Sequence, residues 1–290
     1  MSAQEQRLEM DASPVPGDYV ATLSVYEAVS QSAGRFLTGR KPREVGCFSI
    51  VGEQPCWVDG AAMLKYLRMP SSPDQLCWDL NMGYETAVRW DLLKGKKIHN
   101  LLRWLAYQAS NPAAEPWQQS LLANTDFACG RGTLARIACT PYDKSNDWRL
   151  VACRHRGTIF LCSSLTDAYR QLRLDDKADP ERDRPAYWGY KFEQFMAASE
   201  PGGEPNVQAM VNEREACHIV VRSRLASHSL LVAAQVDCAD HPVLERCKQN
   251  KRTDGSSSPA GYIELKTSQL CLERQAHNFH RIPVAKTPRR

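Results

Sequence analysis

The 290-residue sequence lacks the features that would place a chain in a membrane or outside the cell. It has no stretch of about 18 apolar residues, so no membrane span is predicted. Its first residues show no basic start followed by an apolar stretch, so we expect no secretory leader and a nuclear or cytoplasmic location. The composition, 43% hydrophobic and 24% charged, is that of an ordinary globular protein large enough to bury a core.

The sequence also lacks any Cys-x-x-Cys pair among its 11 cysteines, so no zinc site of the usual kind is predicted. Without a leader, the cysteines are expected to be reduced thiols, and most of them to be buried as small apolar residues. The chain also lacks a strong excess of charge of one sign, because it has 37 basic and 33 acidic residues. This balance permits a polyanionic partner without requiring one.

No internal repeat and no strong linker divides the chain, and after a flexible lead over residues 1–17 we expect one α+β domain. Residues 165–182 are charged and fit either a loop or a helix. Apolar spacing and β-forming runs predict the other elements. Helices are predicted over 60–68, 91–108, 117–127 and 186–198, and strands over 44–58 (a hairpin), 131–163 (two or three runs), 217–224, 229–238 and 261–268.

Chemistry is suggested by three places: Glu193, Asp237 and the pair Glu264 and Lys266. Asp237 interrupts an apolar strand, where a carboxylate is costly to bury unless it is paired or binds a metal. Because side chains alternate along a strand, Glu264 and Lys266 share one face. Carboxylate oxygens are the ligands that Mg²⁺ prefers, and a lysine can position water or neutralise phosphate. Glu-x-Lys is also common on exposed strand faces, so the motif alone leaves both interpretations open.

Longer ordered motifs indicate a family. They are REVGCFSI (43–50), WDLNMGY (78–84), LLRWL (101–105), RGTLARIACTPY (131–142), GYKFEQFM (189–196), VRSRLASHSLL (221–231), VDC (236–238) and YIELKTS (262–268). With these motifs the chain resembles the decapping exoribonuclease (DXO) family over roughly residues 35–281. The resemblance implies a mixed β-sheet flanked by helices, related to the Asp…Glu-x-Lys metal-dependent nucleases. It also implies hydrolysis at RNA 5′ ends: removal of incomplete or atypical caps, including NAD caps, or of a 5′ triphosphate, in many members with 5′-to-3′ degradation.

The resemblance also implies roles for individual residues. It implies Mg²⁺ or Mn²⁺, with two ions in the family, and Lys266, Glu264 and Asp237 as the catalytic group. The expected metal ligands are Glu193, Asp237, Glu264, the backbone carbonyl of Leu265 and, in a weakened form, Gln235. The expected substrate contacts are Arg131, Gly132, Glu193, Lys266 and Cys217.

The sequence departs from the family pattern in three places, of which the one at Lys96, where the family usually has an acidic residue near the substrate, carries the least weight. Gln235 stands where the family has a metal-binding glutamate, so the negative charge is lost there. After residue 281 the family continues through further strands and helices, whereas residues 282–290 form an unrelated basic tail. We therefore expect a nuclease-like domain over 18–281 that lacks the C-terminal part of the family fold.

Three hypotheses follow. The first is a metal-dependent hydrolase of RNA 5′ ends, and we favour it because three carboxylates in one cleft repel one another unless a metal is present. The second is a catalytically impaired RNA-end-binding protein, or a partner of a nuclear 5′-to-3′ exoribonuclease, on the same fold. The third is a truncated form without function. No DNA or membrane partner is expected.

Overall fold

The computed structural model describes residues 40–52, 56–70, 78–90, 98–143, 147–249 and 260–267. The predicted lead over 1–17 and the predicted tail over 282–290 lie outside these ranges. The strands are β1 (Arg40–Val51), β2 (Cys56–Asp59), β3 (Tyr66–Leu67), β4 (Phe127–Gly130), β5 (Arg149–His155), β6 (Thr158–Ser164), β7 (Ala197–Ala198), β8 (Ala216–Leu225), β9 (His228–Val236), β10 (Cys238–Ala239) and β11 (Tyr262–Ile263). The helices are α1 (His99–Ser110), α2 (Pro116–Gln119), α3 (Arg131–Cys139), α4 (Asp167–Ala178), α5 (Pro180–Met196) and α6 (His241–Gln249).

Seven strands form one large sheet in the order β2-β1-β8-β9-β4-β6-β5. The neighbours β9, β4 and β6 are parallel, while the other pairs in this sheet are antiparallel. Helices connect and cover these strands, so the predicted mixed sheet flanked by helices is confirmed. The predicted hairpin over 44–58 is confirmed as well, because β1 and β2 pair antiparallel.

A second, smaller sheet has the order β11-β10-β3-β7. Its strands have two residues each, and it continues directly from the large sheet because β10 begins two residues after β9 ends. The pairs β10–β11 and β3–β7 are antiparallel, and β10–β3 is parallel. This small sheet determines where the segment after Ile263 lies relative to the end of β9.

Helix α1 covers one face of the large sheet. Its Leu101, Trp104 and Leu105 are buried against Phe48 of β1 and neighbouring strand residues. Gly46 of β1 makes this packing possible, since a Cβ there would collide with the Trp104 indole. The predicted helix over 91–108 is thus confirmed from residue 99 onward, and residues 91–97 lie outside the described ranges.

The opposite face is filled by a second cluster that includes Cys129, Ile219 and Val232, with Leu134 of α3 packed against it. Along β8, Ile219 and Val221 belong to this cluster, whereas Val220 between them belongs to the cluster beneath α1, as the period of two requires. Of the nine described cysteines, all free, only Cys129, Cys217 and Cys238 are buried. The expectation that most cysteines are buried is therefore wrong for this set, whose other members are exposed or half-buried.

Some predicted elements are wrong, for local reasons. Residues 60–68 hold β3 instead of a helix, because Tyr66 pairs with both Ala198 and Ala239. Residues 131–139 form helix α3 instead of a strand, since Leu, Ala and Arg favour a helix once the chain leaves β4 at Gly130. Two predicted elements are shorter than expected, because α2 ends at Gln119 and β11 ends at Ile263. Of the segment predicted as a loop or a helix, residues 167–178 form helix α4.

In the part of the chain that the structure describes, no helix has both the length and the apolar character needed to cross a bilayer.

Candidate active site

The parallel strands β9, β4 and β6 end at the same edge of the large sheet, and a cleft of about 510 Å³ opens there. Ligand sites of mixed α/β sheets form at such carboxyl ends, because chain segments leave the sheet there and diverge. The cleft brings together most residues that the sequence singled out. Those that line it are Arg131, Gly132, Glu193, Gln235, Asp237, Glu264 and Lys266.

Asp237 lies at the junction between β9 and β10, and Glu264 follows β11 directly. The two are adjacent because Cys238 pairs with Ile263 across the antiparallel β10–β11 ladder. The Asp237 carboxylate accepts a hydrogen bond of 2.7 Å from the backbone N–H of Leu265. Pairing between two short strands thus converts residues distant in sequence into neighbours.

Glu264 is paired with two cations in the cleft. Its Oε1 lies 2.6 Å from the Lys266 ammonium and 3.7 Å from the Arg131 guanidinium. The pairing with Lys266 agrees with the prediction that these side chains share a face, although the segment is no longer a regular strand. Because the lysine side chain is 72% exposed, the pair contributes little to stability, and Lys266 can turn toward a ligand at small cost.

Glu193 lies in the last turn of α5, on the side of this helix that faces the cleft. Burial, together with the charge of Asp237, raises the pKa of its carboxyl group to about 7. Burial is also the main reason why the pKa of Asp237 is raised, with Glu264 adding to it and the Leu265 N–H opposing it. The positive charges around Glu193 and Asp237 therefore do not offset the cost of burying both carboxylates.

Helix α5 is held in place at both ends. Asp179 caps its N-terminus by accepting the Glu181 N–H, and Pro180 occupies the first position, where no N–H is needed. Near its C-terminus the buried Lys191 ammonium donates to the Gln194 side chain and to the Val207 carbonyl. The contact with Val207 ties the helix to the segment that follows it and so helps to fix the position of Glu193.

A half-buried ion network also anchors α5. The Arg89 guanidinium binds Asp183 of α5 at 2.5 Å and Glu213 at 3.0 Å, and Tyr84 donates to Asp183 at 2.8 Å. Glu213 accepts the Trp90 N–H as well. Although Glu213 lines the cleft, its partners make it a structural group, and it ties the segment before β8 to the helix that carries Glu193.

The opposite wall of the cleft suits an anion. Helix α3 begins at Arg131, immediately after Gly130, and the first residues of this helix line the cleft. Free backbone N–H groups and the positive end of the helix dipole are therefore directed at this region. A Cβ at Gly132 would meet nothing within 4 Å, so the glycine leaves open space beside the Arg131 guanidinium.

Gln235 lines the cleft on the same face of β9 as Asp237, as the period of two predicts. It pairs in register with His218 of β8, whose ring stacks on Phe48 at 4.9 Å between centroids. At this position a neutral amide faces the carboxylates. Gln235 thus lies within the cleft, and it differs from the expected glutamate ligand in having no charge.

Cys217 is the predicted substrate contact whose side chain does not line the cleft. It alternates with Ala216 and His218 along β8, and those two line the cleft, so Cys217 points to the opposite face. There it is 2% exposed and packs with Leu64 and Leu244. Its thiol therefore does not line this cleft, and the expected substrate contact at Cys217 is not supported by the geometry.

The sequence argument missed several cleft residues. Tyr190 of α5 and Arg214, just before β8, line it, as do Arg136 of α3 and the α4 pair Tyr169 and Arg173. No motif marks them, although Tyr169 and Arg173 are spaced by four residues, as one face of a helix requires. They add aromatic and basic character to the cleft.

The donor set fits a divalent metal in its chemistry. Glu193, Asp237 and Glu264 offer the carboxylate oxygens that hard cations bind. Among the described residues no three His, Cys, Asp or Glu side chains already form a group that could hold an ion. Glu264 is paired with Lys266, and Asp237 with the Leu265 N–H. A cation would remove the electrostatic cost that raises the pKa values of Glu193 and Asp237, so the residues fit the ion.

Sequence comparison finds relatives that are named decapping and exoribonuclease protein. The bovine decapping and exoribonuclease protein is 33% identical over 257 residues, covering 88% of this chain and 60% of the relative. The mouse protein of the same name is 32% identical over 287 residues, covering 98% and 67%. The chain thus spans about 60% of the length of most curated relatives that it matches.

Solved structures share the fold. Rai1 of Scheffersomyces stipitis, in complex with (3′-NADP)⁺ and calcium, gives a TM-score of 0.68 at 22% identity and covers 89% of this chain and 64% of its own. Rai1 of Candida albicans, in complex with pU5 and Mn²⁺, gives 0.65 at 20% identity, with 84% and 64% covered. The family described as RAI1 like PD-(D/E)XK nuclease matches residues 40–287. Sequence, fold and cleft therefore agree that the chain belongs to the RAI1-like PD-(D/E)XK nuclease family.

Proposed function

We propose that this protein is a metal-dependent hydrolase that acts on the 5′ ends of RNA. One observation carries the proposal: a single cleft holds Glu193, Asp237 and Glu264 together with Lys266 and Arg131. Carboxylates for a cation and cations for a phosphate are the two halves of a phosphoryl-hydrolysing site. The family and its named decapping relatives support the same activity.

Each residue has a role that follows from its place. Glu193, Asp237 and Glu264 would hold Mg²⁺ or Mn²⁺, and the Leu265 carbonyl is a further proposed ligand. The ion would stabilise charge on a phosphoryl oxygen and make a bound water more acidic. Lys266, released from its exposed pair with Glu264, donates to the phosphate or orients the attacking water.

Arg131 binds the substrate phosphate through its planar guanidinium, which can contact two oxygens at once. It stands at the first position of α3, where free N–H groups add a second source of positive potential. Gly132 leaves room for the phosphate to approach the helix. The negative and positive walls of the cleft thereby orient the scissile bond between them.

We propose as substrates RNAs with incomplete or atypical caps, including NAD caps, or with a 5′ triphosphate, and 5′-to-3′ degradation of the RNA body as an accompanying activity. The support comes from relatives named decapping and exoribonuclease protein and from a neighbour with pU5 and Mn²⁺. Association with a 5′-to-3′ exoribonuclease and a nuclear or cytoplasmic location stay predictions.

The test uses the purified full chain with cap-labelled, NAD-capped and triphosphorylated RNA, with Mn²⁺, with Mg²⁺ and with EDTA. We expect product only with metal, and none from Asp237→Asn. The matched control, Asp175→Asn on the exposed side of α4, should behave like the parent. Absence of product in every lane would refute the hydrolase, and product in EDTA would refute the mechanism.

A second function, RNA-end binding without hydrolysis, is favoured by Gln235. This neutral side chain lines the cleft where the resemblance implies a metal-binding glutamate. If binding is the function, the parent should bind 5′-phosphorylated RNA without cleaving it, and Gln235→Glu should restore metal-dependent cleavage. If the parent cleaves the RNA, the glutamine is tolerated and the second function is not needed.

A further inference from the structure

One part of the cleft holds two arginines around one tyrosine ring. The guanidinium carbon of Arg136, on α3, lies 5.6 Å from the centroid of the Tyr169 ring, and that of Arg173, on α4, lies 5.5 Å from it. All three side chains line the same cleft as Asp237 and are half-buried. Two cations from different helices therefore converge on one ring.

Within the described ranges, none of the ion pairs includes Arg136 or Arg173. The carboxylates nearby have other partners: Asp176 pairs with Arg182, and Glu213 with Arg89. Like charges held together repel each other, and the ring compensates only in part. The site therefore has positive charge left over for an anion from outside the chain.

Local structure holds the three residues in place. The first turn of α4 is fixed because Thr166 caps it by accepting the Tyr169 N–H, while its hydroxyl donates to Asp147 at 2.8 Å. Helix α3 is tied to β6 through the Thr133 and Ser163 hydroxyls, 3.3 Å apart. The ring thus serves as a fixed support for two guanidiniums, which favours phosphate binding over stacking of a base.

The spacing between Arg131 and Arg136 along α3 indicates which phosphate of the RNA is bound. Arg131 contacts Glu264, and Arg136 lies five residues later on the same helix, which places its Cα about 7.5 Å further along the axis. A phosphate at Arg136 is thus displaced from the one at Arg131 along the cleft. A nucleotide chain continuing from the scissile group can meet this second position.

We propose that Arg136, Tyr169 and Arg173 form a phosphate subsite that binds the phosphodiester backbone of the RNA body, downstream of the 5′ group held at Arg131. This inference rests on the proposed action on RNA. The subsite reads no base, because its contacts are to phosphate, and it gives a preference for longer single strands over dinucleotides.

The test measures binding of a 5′-phosphorylated uridine decamer and of the dinucleotide by fluorescence anisotropy in EDTA, so that hydrolysis plays no part. The variants are Arg136→Gln with Arg173→Gln, and Arg173→Gln alone. The control is Arg170→Gln on the exposed side of the same helix. Since α4 has no buried residue, Arg173→Gln is expected to fold, and thermal melts verify this.

Each phosphate contact contributes about −0.7 to the slope of log Kobs against log salt for a single strand. The double variant should therefore have a slope less negative by about 1.4, and the parent should lose about sevenfold more decamer affinity than this variant between 50 and 200 mM salt. Dinucleotide binding should not change. Tyr169→Phe should match the parent, and Tyr169→Leu should weaken decamer binding.

The subsite is wrong if the folded double variant, or Arg173→Gln alone where the double variant does not fold, binds the decamer with the affinity and salt slope of Arg170→Gln. This outcome can be distinguished from the outcome of the hydrolase assay. Altered slopes with no cleavage would keep the subsite and remove the hydrolase, whereas cleavage with unaltered slopes would do the reverse.

Discussion

Glu193 is expected to destabilise the ligand-free protein at neutral and alkaline pH. Burial and Asp237 raise its pKa from 4.5 to about 7. A carboxyl group whose pKa is higher in the folded state contributes full stability below pH 4.5, and that contribution is lost as the pH rises through 7. The shift corresponds to about 3 kcal/mol of unfolding free energy at about pH 8.

The isosteric variant Glu193→Gln removes the charge and keeps the shape. In EDTA at about pH 8 we expect it to be more stable than the parent by about 3 kcal/mol, and at about pH 5 by less than about 1 kcal/mol. Added Mn²⁺ at a hundredfold excess over Kd should narrow the difference, because a bound ion stabilises the parent by about 2.7 kcal/mol and the variant less. A residue that serves the cation thus costs stability without it.

Urea unfolding, followed by tryptophan fluorescence, measures these differences at both pH values, with EDTA and with Mn²⁺. The control is Glu200→Gln, an exposed glutamate outside the cleft, whose stability should stay within about 0.5 kcal/mol of the parent at both pH values. The reasoning is refuted if Glu193→Gln is less stable than the parent in EDTA at pH 8, or if the difference is independent of pH.

Three further predictions follow from the packing and the cleft. Gly46→Ala should lower the unfolding free energy by about 1–3 kcal/mol, measured in urea, because the new Cβ collides with the Trp104 indole; an unchanged value would contradict this packing. Arg89→Met should cost about 3–5 kcal/mol, since Asp183 and Glu213 lose their shared cation; a loss under about 1 kcal/mol would mean that the network is not needed. Gln235→Glu should tighten Mn²⁺ binding by roughly tenfold in calorimetry, through one added ligand charge, and equal affinities would place this residue outside the metal site.

The local elements that the sequence predicted correctly are those with a strong period. Residues 44–58 are rich in β-forming residues around a Gly-containing break and form the β1–β2 hairpin, and the apolar spacing of Leu101 and Leu105 gives α1. The segments without their own period were predicted poorly. Residues 60–68 are drawn into β3 by pairing with distant strands, and residues 131–139 form a helix because the chain leaves the sheet at Gly130. Tertiary contacts override weak local preference in both.

For the site, the residue types and their order along the chain were enough to choose Glu193, Asp237, Glu264 and Lys266 as candidates, and the family resemblance added Arg131. The sequence could not show that the Cys217 side chain lies outside the cleft. A period of two assigns this side chain to a face of the sheet only when the positions of its neighbours on β8 are known. The phosphate subsite was missed because Arg136 and Tyr169 lie on different helices, and only their packing brings them together.

The sequence by itself determined the chemistry available to this protein: carboxylates for a cation, a lysine and an arginine for a phosphate, and a glutamine where a charge was expected. The tertiary structure decided where that chemistry acts. Pairing of β10 with β11 makes Asp237 and Glu264 neighbours, and burial at the end of α5 raises the pKa of Glu193. Proximity and desolvation depend on what surrounds a residue in space, and a linear order of residues does not contain them.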